Sequence, residues 1–228
     1  MAKISKQTKK PQKNKQALTL LIIFIAAAGV FTAKYFIEQA RAKIPVDTSK
    51  TNRTKGNPEA KIKIVEYMDF QCPACALGAG LLKGIFERAP NDLHVEMHYF
   101  PLTKIHSHAM LSAQYAECAA QQGQFWPLHD LLIERQAQWK DLSDAKPAFE
   151  EMAKEIKLNM PRLETCLQDE RINTFIYNDQ TQGQALGVQS TPTYFINGEM
   201  VVGAKSLAEK IMPYLQSAVP STPAPAAQ

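Results

Sequence analysis

Beyond its first quarter the sequence is short of basic charge. Residues 1–56 hold 12 of the 26 Lys and Arg beside 2 Asp or Glu, whereas residues 57–228 hold 14 Lys and Arg against 20 Asp and Glu. The basic segment has no interleaved aromatics and the remainder is acidic, which argues against nucleic acid as a partner. Cysteine is scarce too. The four present, Cys72, Cys75, Cys118 and Cys166, include a single Cys-x-x-Cys, so a zinc site lacks the second half of its ligand set. Internal repeats are absent. The five His residues are scattered: His106 and His108 open a helix and His129 sits near Trp126, and each reads as structural rather than ligating.

One long apolar run exists, Ala17–Ala33, preceded by Lys3, Lys6, Lys9, Lys10, Lys13 and Lys15. As a helix at about 1.5 Å per residue it reaches roughly 25 Å, near the lower limit for a bilayer span. Tyr35, Phe36 and Ile37 extend it if Lys34 snorkels. The expected organisation is a basic cytoplasmic tail over 1–16, a transmembrane anchor over 17–37 and a linker over 38–56. The alternative is a cleaved signal peptide, although Ala40-Arg41-Ala42 lies far beyond the apolar run for a cleavage site. Either way residues 57–217 form a domain exported from the cytoplasm through the inner membrane to the periplasmic side, an oxidising setting. The Pro/Ala-rich segment 218–228 reads as a disordered end.

Within the domain, Lys61–Tyr67 and Leu93–Phe100 alternate as strands, with Ile62, Ile64 and Glu66 on one face. Cys72–Arg88 is helix-like and makes the first two strands a parallel pair. Helices follow at His106–Gln122, Phe125–Gln136, Ala145–Lys157, Pro161–Leu167 and Arg171–Leu186. Tyr194–Ile196 and Met200–Val202 flank Asn197-Gly198, a hairpin turn signal, and Lys205–Ser217 closes the domain. The fold class is α/β: a mixed sheet flanked by helices, with a helical insertion over about 103–187.

The chemistry concentrates at Cys72-Pro73-Ala74-Cys75. Cys72 ends a strand and caps a helix, where unpaired N–H groups and the helix dipole favour a thiolate. Pro73 suits the first helical position, whose N–H has no partner. Cys75 lies one turn on, on the same side. The expectation is an exposed nucleophile at Cys72 and a buried resolving thiol at Cys75. A structural disulfide, or copper(I) held with Met68 or Met97 nearby, is the competing reading.

Glu66 is a carboxylate on a core-facing position, so it either raises its pKa or finds a partner, and it could relay a proton to Cys75. Asp69 reads as ordinary loop chemistry. Thr191-Pro192 precedes a strand, where Pro belongs and where a cis bond can occur, though the sequence alone does not give the isomer. Cys118 and Cys166 sit on apolar helix faces, either bridged as a structural disulfide or free as small hydrophobes. The Trp126, Leu128, Leu131 and Leu132 cluster reads as core.

The segments IVEYMDFQCPACA, AAQQGQFWPLHDLL, CLQDE and GVQSTPTYFINGEMVVGA resemble the DsbA-like thioredoxin-fold thiol:disulfide oxidoreductases of bacteria, over roughly Gly56–Ser217. The resemblance implies a thioredoxin fold with a helical insertion domain, a redox-active Cys72–Cys75 disulfide and a buried carboxylate at Glu66. It also implies a cis-proline at Pro192, with Thr191 pairing its backbone to substrate. No cofactor is implied. A pair like Cys118 and Cys166 forms a second disulfide in some members. Implied partners are cysteine-containing exported proteins and a membrane redox partner, DsbB-like or VKOR-like, or a reductant. The strongly oxidising members carry His where this chain has Ala74, so a less acidic Cys72 is expected. Three functions compete: a dithiol oxidase, a reductase or isomerase, and a copper-binding protein.

Overall fold

The computed structural model describes residues 21–32 and 53–218, with side chains to 213. The chain divides into two compact units, Met1–Arg41 and Ala42–Gln228. Of the first, residues 21–32 form a helix, α1. Among the described residues no helix is long and apolar enough to cross a membrane. The basic tail 1–16, both ends of the expected 17–37 anchor, most of the linker and residues 219–228 lie outside the described residues.

The second unit runs β1 (Thr54–Gly56), β2 (Ile62–Met68), α2 (Pro73–Arg88), β3 (Leu93–Tyr99), then six helices, then β4 (Thr193–Ile196), β5 (Glu199–Val202) and α9 (Ala204–Ala218). The six are α3 (Ala109–Ala120), α4 (Phe125–Glu134), α5 (Gln136–Trp139), α6 (Lys146–Glu155), α7 (Met160–Leu167) and α8 (Glu170–Ala185). The sheet order is β1-β3-β2-β4-β5. The central pair β2 and β3 is parallel, as a helical crossover requires, and the other pairings are antiparallel. Asn197 and Gly198 both take positive φ, 49° and 87°, the geometry a tight β-hairpin needs.

The alternation of Ile62, Ile64 and Glu66 identifies the sheet face beneath α2 and α9, where Ile62, Ile64, Leu82, Ile85, Val95, Leu207 and Ile211 pack. The opposite face is covered as well, by Val65, Tyr67, Phe100, Val188 and Phe195. The largest apolar cluster joins the ends of β2 and β3 to the helical insertion, and Cys72 and Cys75 belong to it. The dithiol therefore sits at the seam between sheet and insertion. Cys118 of α3 and Cys166 of α7 are bridged, with Cα atoms 5.8 Å apart.

Among the boundaries that differ from the sequence reading, two bear on how the sheet and the insertion are held, while the helix read from His106 begins only at Ala109. The linker was expected to run to residue 56, yet Thr54–Gly56 forms an edge strand on β3. Three residues without an apolar side chain among them carry no periodicity; the strand is held from outside, by the Trp126 indole N–H donating to Thr54 O at 2.7 Å and by the burial of Arg53. The helix read as Phe125–Gln136 breaks at Arg135 (φ −102°, ψ 13°), and α5 then carries Gln136 and Trp139 into the core.

Candidate active site

β2 ends at Met68 and α2 starts at Pro73, leaving a short turn that delivers Cys72 to the helix N-terminus. Cys72 caps α2 in extended conformation (φ −73°, ψ 120°), its N–H donating to Asp69 O at 3.0 Å. Its carbonyl accepts from the Cys75 N–H at 3.0 Å, so the two cysteines are held by one helical turn. Both thiols are free. Cys72 keeps 7% of its surface and Cys75 none, so the order of exposure is as expected, although Cys72 is far from open.

Across the sheet, the Thr191–Pro192 peptide bond is cis. The carbonyl oxygen of Thr191 lies 3.4 Å from Cys72 Sγ. The Cys75 thiol donates to Cys72, and this is the largest of the effects that pull Cys72 down to about 5; burial opposes it, and the Thr191 side chain and the N–H groups of Cys75 and Ala74 assist. The Thr191 hydroxyl completes no hydrogen bond of good geometry, although its proximity favours the Cys72 thiolate. Ala74 does not leave Cys72 an ordinary thiol, because its acidity comes from the partner thiol and the helix N-terminus. Cys75 moves the other way: burial, then the hydrogen bond to Cys72, push it well above the usual range. The Asp69 N–H touches its sulfur at 3.5 Å.

Glu66 is buried, and burial raises it to about 7. The Tyr194 hydroxyl eases its ionisation, yet neither that hydroxyl nor Glu66 Oε1 completes a hydrogen bond of good geometry. The Glu66 charge in turn disfavours the Cys75 thiolate. Cys72, Cys75, Glu66, Thr191 and Pro192 are thus one site. Cys118 and Cys166 belong to the insertion, not to it.

The sequence undervalued Asp69. It is fully inside, with Oδ1 accepting from Gln71 N at 2.8 Å and Oδ2 from Leu102 N at 2.9 Å and His106 Nδ1 at 2.7 Å. A carboxylate between a strand end and a reactive cysteine was the available signal. Gln71 and Gln136 gave none. Gln71 donates to Lys140 O at 2.6 Å and accepts from His108 N at 2.6 Å; Gln136 donates to Phe70 O at 2.7 Å and Cys72 O at 3.0 Å. These bonds tie the cysteine turn to the insertion. His108 Nε2 meets Leu142 O at 2.7 Å. Met68 and Met97 share the core cluster of the cysteines, and among the described residues no three His, Cys, Asp or Glu side chains are grouped to hold a metal ion.

The family model described as thioredoxin matches residues 48–212. Among solved structures, α-DsbA1 of Wolbachia pipientis superposes with a TM-score of 0.62 at 21% identity, covering 76% of this chain and 91% of that one. BdbD of Bacillus subtilis gives 0.61 at 20% identity, covering 72% and 92%. A curated relative, the Na(+)/H(+) antiporter NhaA 3 of Salinispora tropica, is 32% identical over 194 residues, which is 80% of this chain and 28% of the relative. The chain spans about a quarter of the length of the curated relatives it matches. The chain belongs to the thioredoxin family, and its helix-inserted fold is the one shared by DsbA-like thiol:disulfide oxidoreductases.

Proposed function

We propose that this protein is an exported dithiol oxidase that passes a Cys72–Cys75 disulfide to cysteine-containing proteins outside the cytoplasm. The observation that carries the reading is the geometry of the pair: Cys72 at the N-terminus of α2, held one helical turn from a fully buried Cys75 and 3.4 Å from the Thr191 carbonyl, an arrangement that pulls Cys72 down to about 5 and pushes Cys75 up. A stabilised Cys72 thiolate favours the dithiol over the disulfide, which makes the disulfide a better oxidant.

A substrate thiolate attacks Cys72 Sγ of the oxidised protein. The Cys72–Cys75 bond breaks, and Cys75 leaves and takes a proton. The second substrate thiolate then attacks the substrate sulfur of the mixed disulfide, and Cys72 leaves as a thiolate. Two electrons pass from substrate to protein, and the substrate keeps a disulfide. The Thr191 carbonyl borders Cys72, where the Thr191 backbone can pair with an extended peptide as an added strand. A membrane redox partner, DsbB-like or VKOR-like, takes the electrons on. The basic tail and the apolar run support an anchor over 17–37, and the Cys118–Cys166 bridge supports an oxidising compartment. The antiport named for the longer relatives is a property of chains this one only partly spans.

Two measurements test this. Cys75→Ser should accumulate mixed disulfides with exported proteins, and Cys72→Ser none. The reduction potential against glutathione should be more oxidising than glutathione's own; a strongly reducing value, with Cys72 and Cys75 trapped as thiols in cells, would instead give the reductase or isomerase.

A further inference from the structure

Glu66 is buried, and it lines a cavity of ≈ 20 Å³. That is room for one water, which needs about 10–15 Å³ and at least two polar partners. The same cavity is lined by His129 of α4, with Lys55, Lys83 and Asp130 among its charged lining groups. Two buried atoms of the lining have no partner within the protein, Glu66 Oε1 and His129 Nε2. His129 is packed edge-on or tilted among Trp126, Phe125 and Phe70, with ring centroids 4.9, 5.8 and 5.6 Å away. Its Nδ1 meets Asp130 Oδ1 at 2.8 Å. A carboxylate only accepts, so Nδ1 carries the hydrogen and, in the neutral ring, Nε2 is left as an acceptor.

We propose that Glu66 Oε1 and His129 Nε2 share one water in this cavity, and that His129, backed by Asp130, passes the Cys75 proton between that water and solvent. The proposal rests on the thiol-exchange reading and adds to it a positioning residue for the buried thiol. When Cys75 must ionise to attack, its proton moves to the Glu66 carboxylate. Glu66 hands a proton to the water, and the water hands one to Nε2. The imidazolium so formed is paired with Asp130 and releases its Nδ1 proton outward. When Cys75 leaves as a thiolate, the same bonds run in reverse. No electron moves and no bond other than those to hydrogen changes. Asp130 suits the role because it is half-exposed: burial pushes its carboxyl up, but His129 and the Lys55 and Lys83 charges outweigh this and keep it ionised. Lys55 (3.7 Å from Asp130) and Lys83 (2.6 Å from Glu134) are the other charges at the cavity, and the Tyr194 hydroxyl and Cys75 face Glu66 from inside.

The test uses the full-length chain carrying glutathione in mixed disulfide with Cys72, and follows glutathione release as Cys75 attacks. His129→Gln should slow release by about tenfold or more between about pH 5 and pH 8, and flatten its pH profile. Val95→Ile adds a methyl to the cavity wall while keeping both polar side chains in place, and should slow release several-fold. The pH dependence of Cys72 alkylation should stay as in the wild type for both. His129 is packed among aromatics, so if His129→Gln fails to fold, Val95→Ile and the half-exposed Asp130→Asn decide. Release at the wild-type rate in the folded variants overturns the relay. A wild-type chain with an ordinary Cys72 that releases no glutathione removes the exchange reading itself, and this proposal with it.

Discussion

The hydroxyl of Tyr194 occupies the space a side chain at Gly78 would fill: a Cβ there would lie 2.0 Å from it. This bare spot on α2 lets the helix approach β4 and lets the hydroxyl reach the neighbourhood of Glu66. In an ordinary helix Gly→Ala gains about 1 kcal/mol. Here overpacking costs about 1–3 kcal/mol and wins. Gly78→Ala should therefore lower the urea midpoint, and adding Tyr194→Phe, which removes the obstructing oxygen, should recover most of the loss. Additive effects of the two changes would sink this account.

The Cys72 thiolate links stability to redox state. In the reduced protein Cys72 sits at about 5 against an ordinary value of 9.0. Between these values the unfolded chain binds a proton that the native chain does not, so the stability of the reduced form rises with pH, fully present above 9.0 and lost as pH falls through about 5. The disulfide form has no such contribution. The melting temperature of reduced minus oxidised protein should climb with pH over this window. Thr191→Val, which removes a hydroxyl that favours the Cys72 thiolate, should move Cys72 up towards the ordinary range and shallow the climb. A pH-independent difference would count against it.

Asp69 accepts three hydrogen bonds with two oxygens. Asparagine has one acceptor oxygen, so either amide orientation sets an NH2 against the N–H of Gln71 or of Leu102. Leaving one buried donor unpaired costs about 1–3 kcal/mol. Asp69→Asn should lower the urea midpoint with an unchanged slope, and should loosen the backbone contact on Cys75 so that its alkylation in the reduced protein speeds up. Unchanged stability would mean the three bonds are not jointly made.

The two strands of the central sheet, the crossover, the hairpin and the Cys72–Cys75 turn are each carried by local pattern, and all were legible. Glu66 was legible as a misplaced charge on a core face. The face opposite Ile62 and Ile64 was not: both faces of β2 are buried, and alternation does not show what covers the second. Thr54–Gly56 escaped because its strand is defined by Trp126 and β3, far away in sequence. Gln71 and Gln136 escaped for the same reason. Their amides matter only once the insertion brings Lys140, His108 and Phe70 within reach.

A second buried charge network lies beneath α8, away from the thiols. Asp179 binds the Arg53 guanidinium through Oδ2, which also accepts from Tyr99 N at 3.1 Å, and His98 Nδ1 through Oδ1 at 3.1 Å; His98 Nε2 reaches Glu96 at 2.8 Å. Burial would push Asp179 up and His98 down, but in each case the charged partners prevail, holding Asp179 at about 2 and raising His98 above 6.5. The Asp179 contribution is fully present above its ordinary 3.8 and lost as pH falls to about 2. That of His98 is fully present below 6.5 and lost as pH rises through its folded value. Asp179→Asn removes the nearer of two carboxylates from the buried Arg53 charge and leaves Glu117, at 4.0 Å, to offset it in part, so the cost near neutral pH should fall towards the lower end of about 3–5 kcal/mol. The penalty should shrink as pH falls through the window from 3.8 to about 2, where the wild-type carboxylate is itself being neutralised. The variant should also lose less stability than the wild type above 6.5, since His98 has lost a partner that held its proton. Urea unfolding across this pH range reads both limbs, and a penalty constant from neutral to acid pH would show that Asp179 is not the anchor of the network.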